Sequence, residues 1–204
     1  MNYNRMFKYD VVRSLIVVNV IMFVLQMAVP NLTKLFLLSS VQVVQEPWRL
    51  LTHMFVHSPI TLSHIFFNMF ALFMFGPLLQ RVVGKKQFLG LYLGTGLLAG
   101  IVSVLFHIMQ GSIFAGLGAS GAIMGMIGVT IILLPRLKLL LFFIIPMPLW
   151  AAGILWFILD TLGVFGYSFQ GNVANIAHLA GMIAGLAYGV YLKKVKKVHV
   201  MIRQ

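Results

Sequence analysis

The chain lacks cysteine and carries very few acidic residues. No Cys occurs among its 204 residues, which excludes disulfides, cysteine nucleophiles and thiolate metal sites. Asp10, Glu46 and Asp160 are the only acids, and charged residues of both signs make up 9% of the chain. Soluble domains carry about 25% charged residues. This scarcity argues against a soluble fold.

The sequence is instead rich in apolar residues. Hydrophobic residues make up 61% of the sequence, more than a soluble fold of this length can bury, so we expect the lipid bilayer to be the solvent. One membrane domain over residues 1–204 is the simplest division. The net charge of +12 then indicates basic loops at an anionic membrane face. No basic stripe is interleaved with aromatic residues, so we expect no nucleic-acid partner.

Apolar runs predict an all-α, polytopic membrane protein with six transmembrane helices. The predicted spans are residues 11–29, 61–79, 88–110, 120–134, 139–159 and 173–192. The first is interpreted as a retained helix, since no Ala-x-Ala cleavage site follows it. Residues 30–60 are too apolar for an ordinary loop and are expected to be partly helical in the outer membrane interface. Trp48 and Arg49 would anchor that segment.

The basic residues test this division into spans. With six spans, thirteen of the fifteen Lys and Arg fall on one side of the membrane and only Lys34 and Arg49 fall on the other. The thirteen are Arg5, Lys8, Arg13, Arg81, Lys85, Lys86, Arg136, Lys138, Lys193, Lys194, Lys196, Lys197 and Arg203. Positive charge concentrates in cytoplasmic loops, so both termini are predicted to be cytoplasmic in a multi-pass cell-membrane protein.

Four polar side chains on three spans fall at a similar depth. Ser120 and His178 each lie 15 residues before the cytoplasmic end of their span, about 22 Å above it. Asn68 lies at about 20 Å and His64 at about 26 Å, on one helix face. The span that Ser120 opens is too short to cross the core, so residues 111–119 must descend as irregular backbone. Such backbone is tolerated only where protein shields it or where it lines a wet cavity, so we expect a water-filled pocket open to the extracytoplasmic side.

These positions suit a hydrolytic site. His178 can take the proton of Ser120, which makes the hydroxyl a nucleophile. The Ser120 N–H, at a helix start, and the side chains of His64 and Asn68 can donate to an oxyanion. No acid is expected on these faces at this depth, so the prediction is a Ser–His dyad. His178 would be oriented by packing or by another hydrogen bond.

Glycines at four-residue spacing predict how the two key helices meet. Gly121, Gly125 and Gly128 form a ridge beside Ser120, and Gly181 and Gly185 form one beside His178. Small residues at this spacing let helix backbones approach closely. Contact between the two ridges would bring the hydroxyl and the imidazole together.

The motifs, taken in order, resemble those of the rhomboid proteases, in a bacterial, minimal six-helix form. Residues 118–121 (GASG) look like the family's GxSG motif and residues 177–185 (AHLAGMIAG) resemble its AHxxGxxxG motif. Residues 64–68 (HIFFN) are similar to HxxxN, and Trp48-Arg49 to the WR pair; His53 and His57 fall where the family often has histidines.

The resemblance implies an intramembrane serine endopeptidase with Ser120 and His178 as the catalytic dyad. It implies transmembrane protein substrates, cut near the outer end of a helix and usually after a small residue. It implies no cofactor, and neither a metal site nor an obligate protein partner is indicated. One departure is Met124, which stands where better-known bacterial members often carry an aromatic ring that stacks on the histidine.

Three alternatives remain open at this point. The strongest rival is a catalytically inactive rhomboid-like protein that binds membrane helices, but such relatives usually lack the Ser or the His, and both are present here. A small transporter or metal-handling protein is less favoured, because intramembrane acids are nearly absent. Ser120 as a simple helix cap, and His64 and Asn68 as structural links between helices, are the structural readings of the same residues.

Overall fold

The computed structural model describes residues 10–141, 144–167 and 174–197. Arg5, Lys8 and Arg203, as well as the first residue of the predicted sixth span, Val173, lie outside the described residues. The helices, in chain order, are α1 (Val11–Ala28), α2 (Leu32–Phe36), α3 (Arg49–Thr52), a 3₁₀ turn (His53–Phe55), α4 (Leu62–Val83), α5 (Lys85–Met109), α6 (Ser120–Leu133), α7 (Leu149–Val164) and α8 (Asn175–Lys194).

Four of these helices are long and apolar enough to cross a membrane, namely α1, α4, α5 and α8. Helices α6 and α7 are also apolar but have only 14 and 16 residues. A straight helix needs about 20 residues to cross the hydrocarbon core. The protein is therefore mostly helical with the character of a multi-pass membrane protein, and the count of six spans stays a prediction.

Local chemistry sets several of the helix ends. Asp10 caps α1, because its carboxylate accepts the N–H of Val12 at 3.1 Å. Gly84 separates α4 from α5 with a φ of +85°, a conformation that residues with a Cβ adopt only at a cost. The break at Gly84 falls between the predicted second and third spans, as expected.

The predicted start of the fifth span at residue 139 is wrong. Residues Lys138–Leu141 (β3) and Ile145–Pro148 (β4) pair as an antiparallel hairpin, and helix α7 begins only at Leu149. The cause is proline: Pro146 and Pro148 lack the N–H that a helix interior requires, whereas a helix readily starts just after Pro148. The helix also ends later than predicted, at Val164 instead of residue 159.

The predicted glycine ridges do meet. A Cβ added to Gly181 or Gly185 of α8 would overlap the backbone carbonyl of Gly121 or Gly125 of α6. A Cβ on Gly128 would lie 2.6 Å from the carbonyl oxygen of Met182. Helices α6 and α8 thus touch backbone to backbone, as small residues at four-residue spacing allow. Their starts, which carry Ser120 and His178, are held at the same end of the bundle.

Candidate active site

Ser120 is the first residue of α6, and the segment before it is held by backbone pairing. Ala115–Gly116 (β2) pairs antiparallel with Leu38–Ser39 (β1). The N–H of Gly118 donates to the carbonyl of His53 at 2.8 Å. These contacts satisfy the polar backbone of an irregular segment, as required away from water. Residues 111–119 are non-helical, as predicted, and their depth in the membrane stays a prediction.

Ser120 and His178 are in direct contact. Oγ of Ser120 lies 2.7 Å from Nε2 of His178, and the two residues are 58 positions apart in the chain. The N-cap position of α6 is occupied by Ala119, and Ser120 is the first residue inside the helix. The hydroxyl is thus directed to the imidazole rather than to the backbone, which argues against the reading of Ser120 as a helix cap.

Asp160 corrects the expectation that no acid lies near His178. Its Oδ1 is 3.1 Å from Nδ1 of His178, and its side chain is buried. The predicted fifth span, residues 139–159, ended just before Asp160 because its start was placed ten residues too early. With α7 running from Leu149 to Val164, Asp160 lies within the helix, one turn before its end. An acid in an apolar helix is itself a signal of function, and the two prolines would have located it.

His64 packs against the segment that leads to Ser120. A Cβ placed on Gly118 would lie 2.8 Å from Nε2 of His64, and Gly118 has a φ of +113°. Glycine is therefore required at this position on both counts. Nδ1 of His64 accepts the N–H of Ser58 at 3.2 Å, which leaves Nε2 as the protonated nitrogen of the neutral ring. This donor faces the backbone two residues before Ser120.

Asn68 lies one turn after His64 on α4 and is buried. Its Nδ2 donates to the carbonyl oxygen of His64 at 2.8 Å, which engages one of its two amide hydrogens within the helix. Its Oδ1 is buried, and no partner for it occurs among the described residues. His64 and Asn68 thus share one face, as their four-residue spacing predicts.

The expectation that Arg49 anchors the chain in the membrane interface is wrong. Its side chain is 2% exposed, and it forms an ion pair with Glu46. Its Nη1 donates to the carbonyls of Lys34 at 2.6 Å and Leu37 at 2.7 Å. A planar guanidinium with several donors suits this task. Arg49 therefore fastens the chain between α1 and α3, whereas Trp48 beside it is exposed.

Gln26 is a polar residue of α1 that sequence reasoning passed over. Its Nε2 donates to the carbonyl of His57 at 2.8 Å, and its Oε1 accepts the His57 N–H at 3.0 Å. The amide thus pairs with the backbone as a neighbouring strand would. The sequence does carry a signal, because Asn19 and Gln26 are polar residues seven positions apart on one face of a predicted span. Both are buried in the structure.

Two further histidines, His53 and His57, lie in the connection between α1 and α4. Nδ1 of His53 contacts the carbonyl of Arg49 at 3.0 Å, and the ring of His57 lies 5.2 Å from that of His64. Among the residues that the structure describes, no group of three or more His, Asp or Glu is arranged to hold a metal ion. Met124, one turn after Ser120, is partly buried and packs against the core.

Comparison with known proteins identifies the family. The model of the Rhomboid domain matches residues 44–195. The rhomboid protease GluP of Bacillus subtilis is 35% identical over 141 residues, 69% of this chain and 25% of that protein. The human mitochondrial presenilin-associated rhomboid-like protein is 31% identical over 138 residues, 66% of this chain and 35% of that protein.

A yeast relative extends the comparison. Rhomboid protein 1, mitochondrial, of Saccharomyces cerevisiae is 32% identical over 138 residues, 64% of this chain and 38% of that protein. The chain therefore spans less than half the length of the curated relatives that it matches. The similarity includes both bacterial and mitochondrial proteins, so it does not assign the chain to a bacterial subtype.

Proposed function

The chain belongs to the rhomboid family, and from that premise we propose that it is an intramembrane serine endopeptidase. The observation that carries the proposal is the distance of 2.7 Å between Oγ of Ser120 and Nε2 of His178. A serine hydroxyl becomes a strong nucleophile when a base within hydrogen-bond reach takes its proton. The relative GluP is itself named a rhomboid protease.

The proposed reaction has two halves. Nε2 of His178 takes the hydroxyl proton while Oγ of Ser120 attacks the carbonyl carbon of the scissile bond. His178 then gives that proton to the leaving amine, and the C–N bond breaks to leave an acyl group on Ser120. Water, deprotonated by His178 in its turn, attacks the ester and releases the new carboxyl end.

The negative oxygen formed in each half needs donors. We assign this role to the Ser120 N–H, to Nε2 of His64 and to the amide hydrogen of Asn68 that is not bonded within the helix. The N–H groups of a first helical turn have no partner inside the helix, which supports the role of Ser120. The position of His64 beside Gly118 supports its own role.

The substrate class follows from the surroundings of Ser120. A cleft beside it is lined mainly by small residues, among them Gly96, Ala99, Gly100 and Gly116. Such a lining suits a small side chain before the cut bond. Substrates would be transmembrane helices that unwind near their outer end, reached through the lipid bilayer. No nucleic acid, cofactor or obligate partner enters the scheme.

The proposed orientation rests on charge. Thirteen basic residues lie on one side of a six-span arrangement, so both termini would be cytoplasmic and the site would open to the extracytoplasmic side. In this arrangement α6 and α7 complete the six spans despite their length, since the hairpin and the segment before Ser120 cover the remaining thickness. An enzyme fusion at the C-terminus that is active only in the cytoplasm checks the orientation.

The rival function is a catalytically inactive rhomboid-like protein that binds membrane helices. Such a protein has no use for a serine directed at an imidazole nitrogen, so the Ser120–His178 contact favours the enzyme. A metal-handling function has less support, since His53 bonds to its own backbone and the described residues hold no group of metal ligands.

Cleavage of a transmembrane reporter in liposomes tests the proposal. We expect Ser120→Ala and His178→Ala each to abolish cleavage. Asn68→Ala should lower kcat in part, because one oxyanion donor contributes roughly 3–4 kcal/mol and two others remain. Ser112→Ala is the matched control, since Ser112 is exposed and, among the described residues, its hydroxyl donates to the carbonyl of His107 alone.

The three variants must stay folded for the comparison to hold, and their thermal unfolding in detergent reports this. Full activity in Ser120→Ala or His178→Ala contradicts the mechanism. An inactive wild-type protein that binds the reporter tightly would instead favour the rival function.

A further inference from the structure

We propose that Asp160 is the positioning residue for His178, so that the site works as a Ser–His–Asp triad. This inference rests on the proposed function and deepens it. The carboxylate Oδ1 of Asp160 is 3.1 Å from Nδ1 of His178, while the other ring nitrogen lies 2.7 Å from the Ser120 hydroxyl. Three residues from three helices, α7, α8 and α6, therefore form one hydrogen-bonded line.

The carboxylate decides which nitrogen of His178 carries the proton. A neutral imidazole has one N–H and one lone pair, and an ionised carboxylate can only accept. With Asp160 at Nδ1, the N–H must sit on Nδ1 and the lone pair on Nε2. That tautomer is the one that can take the Ser120 proton. Without Asp160, either nitrogen can carry the hydrogen.

Asp160 is buried beside His178 and has it as its ionic partner. Asp160 is 3% exposed and is the one charged residue of helix α7. Within the described parts of the chain its ionic partner is His178, with no Lys or Arg alongside. A buried carboxylate without a cation is unfavourable. The charge of Asp160 is balanced when His178 becomes imidazolium, which happens as the Ser120 proton arrives.

The step needs no further group. The O–H bond of Ser120 breaks and an N–H bond forms at Nε2 of His178, while the Nδ1–H stays in place and Asp160 stays ionised. The carboxylate stabilises the positive ring electrostatically and holds its plane. Met124 offers only a thioether one turn after Ser120, so Asp160 is the strong acceptor that orients the ring.

A purely structural role is the competing explanation. Asp160 on α7 and His178 on α8 link two neighbouring helices, and a hydrogen bond between them stabilises the bundle whatever the chemistry. A structural link predicts lower stability when it is removed. A positioning role predicts a changed tautomer and a lower kcat in a protein that is still folded.

The test combines a spectrum with kinetics. Nitrogen NMR of ¹⁵N-histidine-labelled protein in micelles, with His178 assigned through His178→Asn, should show Nδ1–H and an unprotonated Nε2 in the wild type. Asp160→Asn should populate the opposite tautomer. It should also lower kcat by about 10²–10⁴-fold, as judged from triads in soluble hydrolases, with KM within twofold. Thr161→Val, at the next position of α7, should leave both readouts unchanged.

Each outcome bears on one claim. A wild-type His178 with its proton on Nε2 overturns the positioning role, even if Asp160→Asn does not fold. So does an Asp160→Asn protein with the wild-type tautomer, whether or not its kcat falls. If the tautomer changes as expected but the wild type cleaves no reporter, the positioning role stands and the protease function fails.

Discussion

Two buried histidines illustrate how single residues are tuned around the site. Burial lowers the pKa of His53 to about 4. Burial, followed by the like charge of His64, lowers the pKa of His57 to about 3. Both lie in the connection between α1 and α4. At neutral pH both rings are therefore uncharged, and His53 serves the site indirectly, since its carbonyl holds Gly118.

The low pKa of His53 predicts an acid-sensitive fold. Between pH 6.5 and about 4 the unfolded chain binds a proton at His53 that the folded chain does not. The free energy of unfolding should fall as pH drops through this window, by about 1.4 kcal/mol per pH unit for this residue. His53→Gln should flatten the dependence by that amount, measured as detergent-solubilised thermal unfolding from pH 4.5 to 7.5. Equal slopes in the two proteins would contradict the assignment.

At the scale of elements, the contact between α6 and α8 determines whether the site forms. The two helices approach until glycine backbones touch, with Gly185 of α8 against the carbonyl of Gly125 of α6. Ser120 is the first residue of α6, and His178 lies three residues after the first residue of α8. Any side chain inserted in the contact must separate the helices and lengthen the distance from hydroxyl to imidazole.

A single methyl group tests this dependence. Gly185→Ala should lower the unfolding temperature, because overpacking costs about 1–3 kcal/mol, and should reduce cleavage at least tenfold. Gly90→Ala is the matched control, since a Cβ at Gly90 meets nothing within 4 Å. We expect it to unfold and cleave as the wild type does. If both variants lose stability and cleavage equally, or if neither variant loses them, the backbone contact is not the determinant.

The same elements show what the sequence can and cannot predict. Apolar runs located five of the six helices to within a few residues, because the bilayer demands apolar length and little else. The fifth helix was misplaced, because the hydropathy of a segment does not show where proline interrupts a helix, here at Pro146 and Pro148. The error propagated to Asp160, whose depth depends on where its helix begins. The polar residues of α1 can be found in the sequence, but the partner of Gln26, the His57 backbone, follows from tertiary packing and leaves no local pattern.

At the scale of the whole molecule, polar chemistry is concentrated where the apolar bundle is interrupted. The connection after α1 is fastened by Arg49 and Gln26, and the segment before Ser120 is paired with it through β1 and β2. These two irregular segments meet beside the start of α6. In the proposed function, this interruption of the bundle would admit the water that hydrolysis needs.

The proposed mechanism depends most directly on Ser120 being an activated nucleophile. A fluorophosphonate probe reacts with serines that a neighbouring base activates, and mass spectrometry locates the adduct. We expect stoichiometric modification of Ser120 in the wild-type protein in detergent, and none at that position in His178→Ala. A folded wild-type protein that remains unmodified at Ser120, or an adduct that forms equally well without His178, would contradict the central claim.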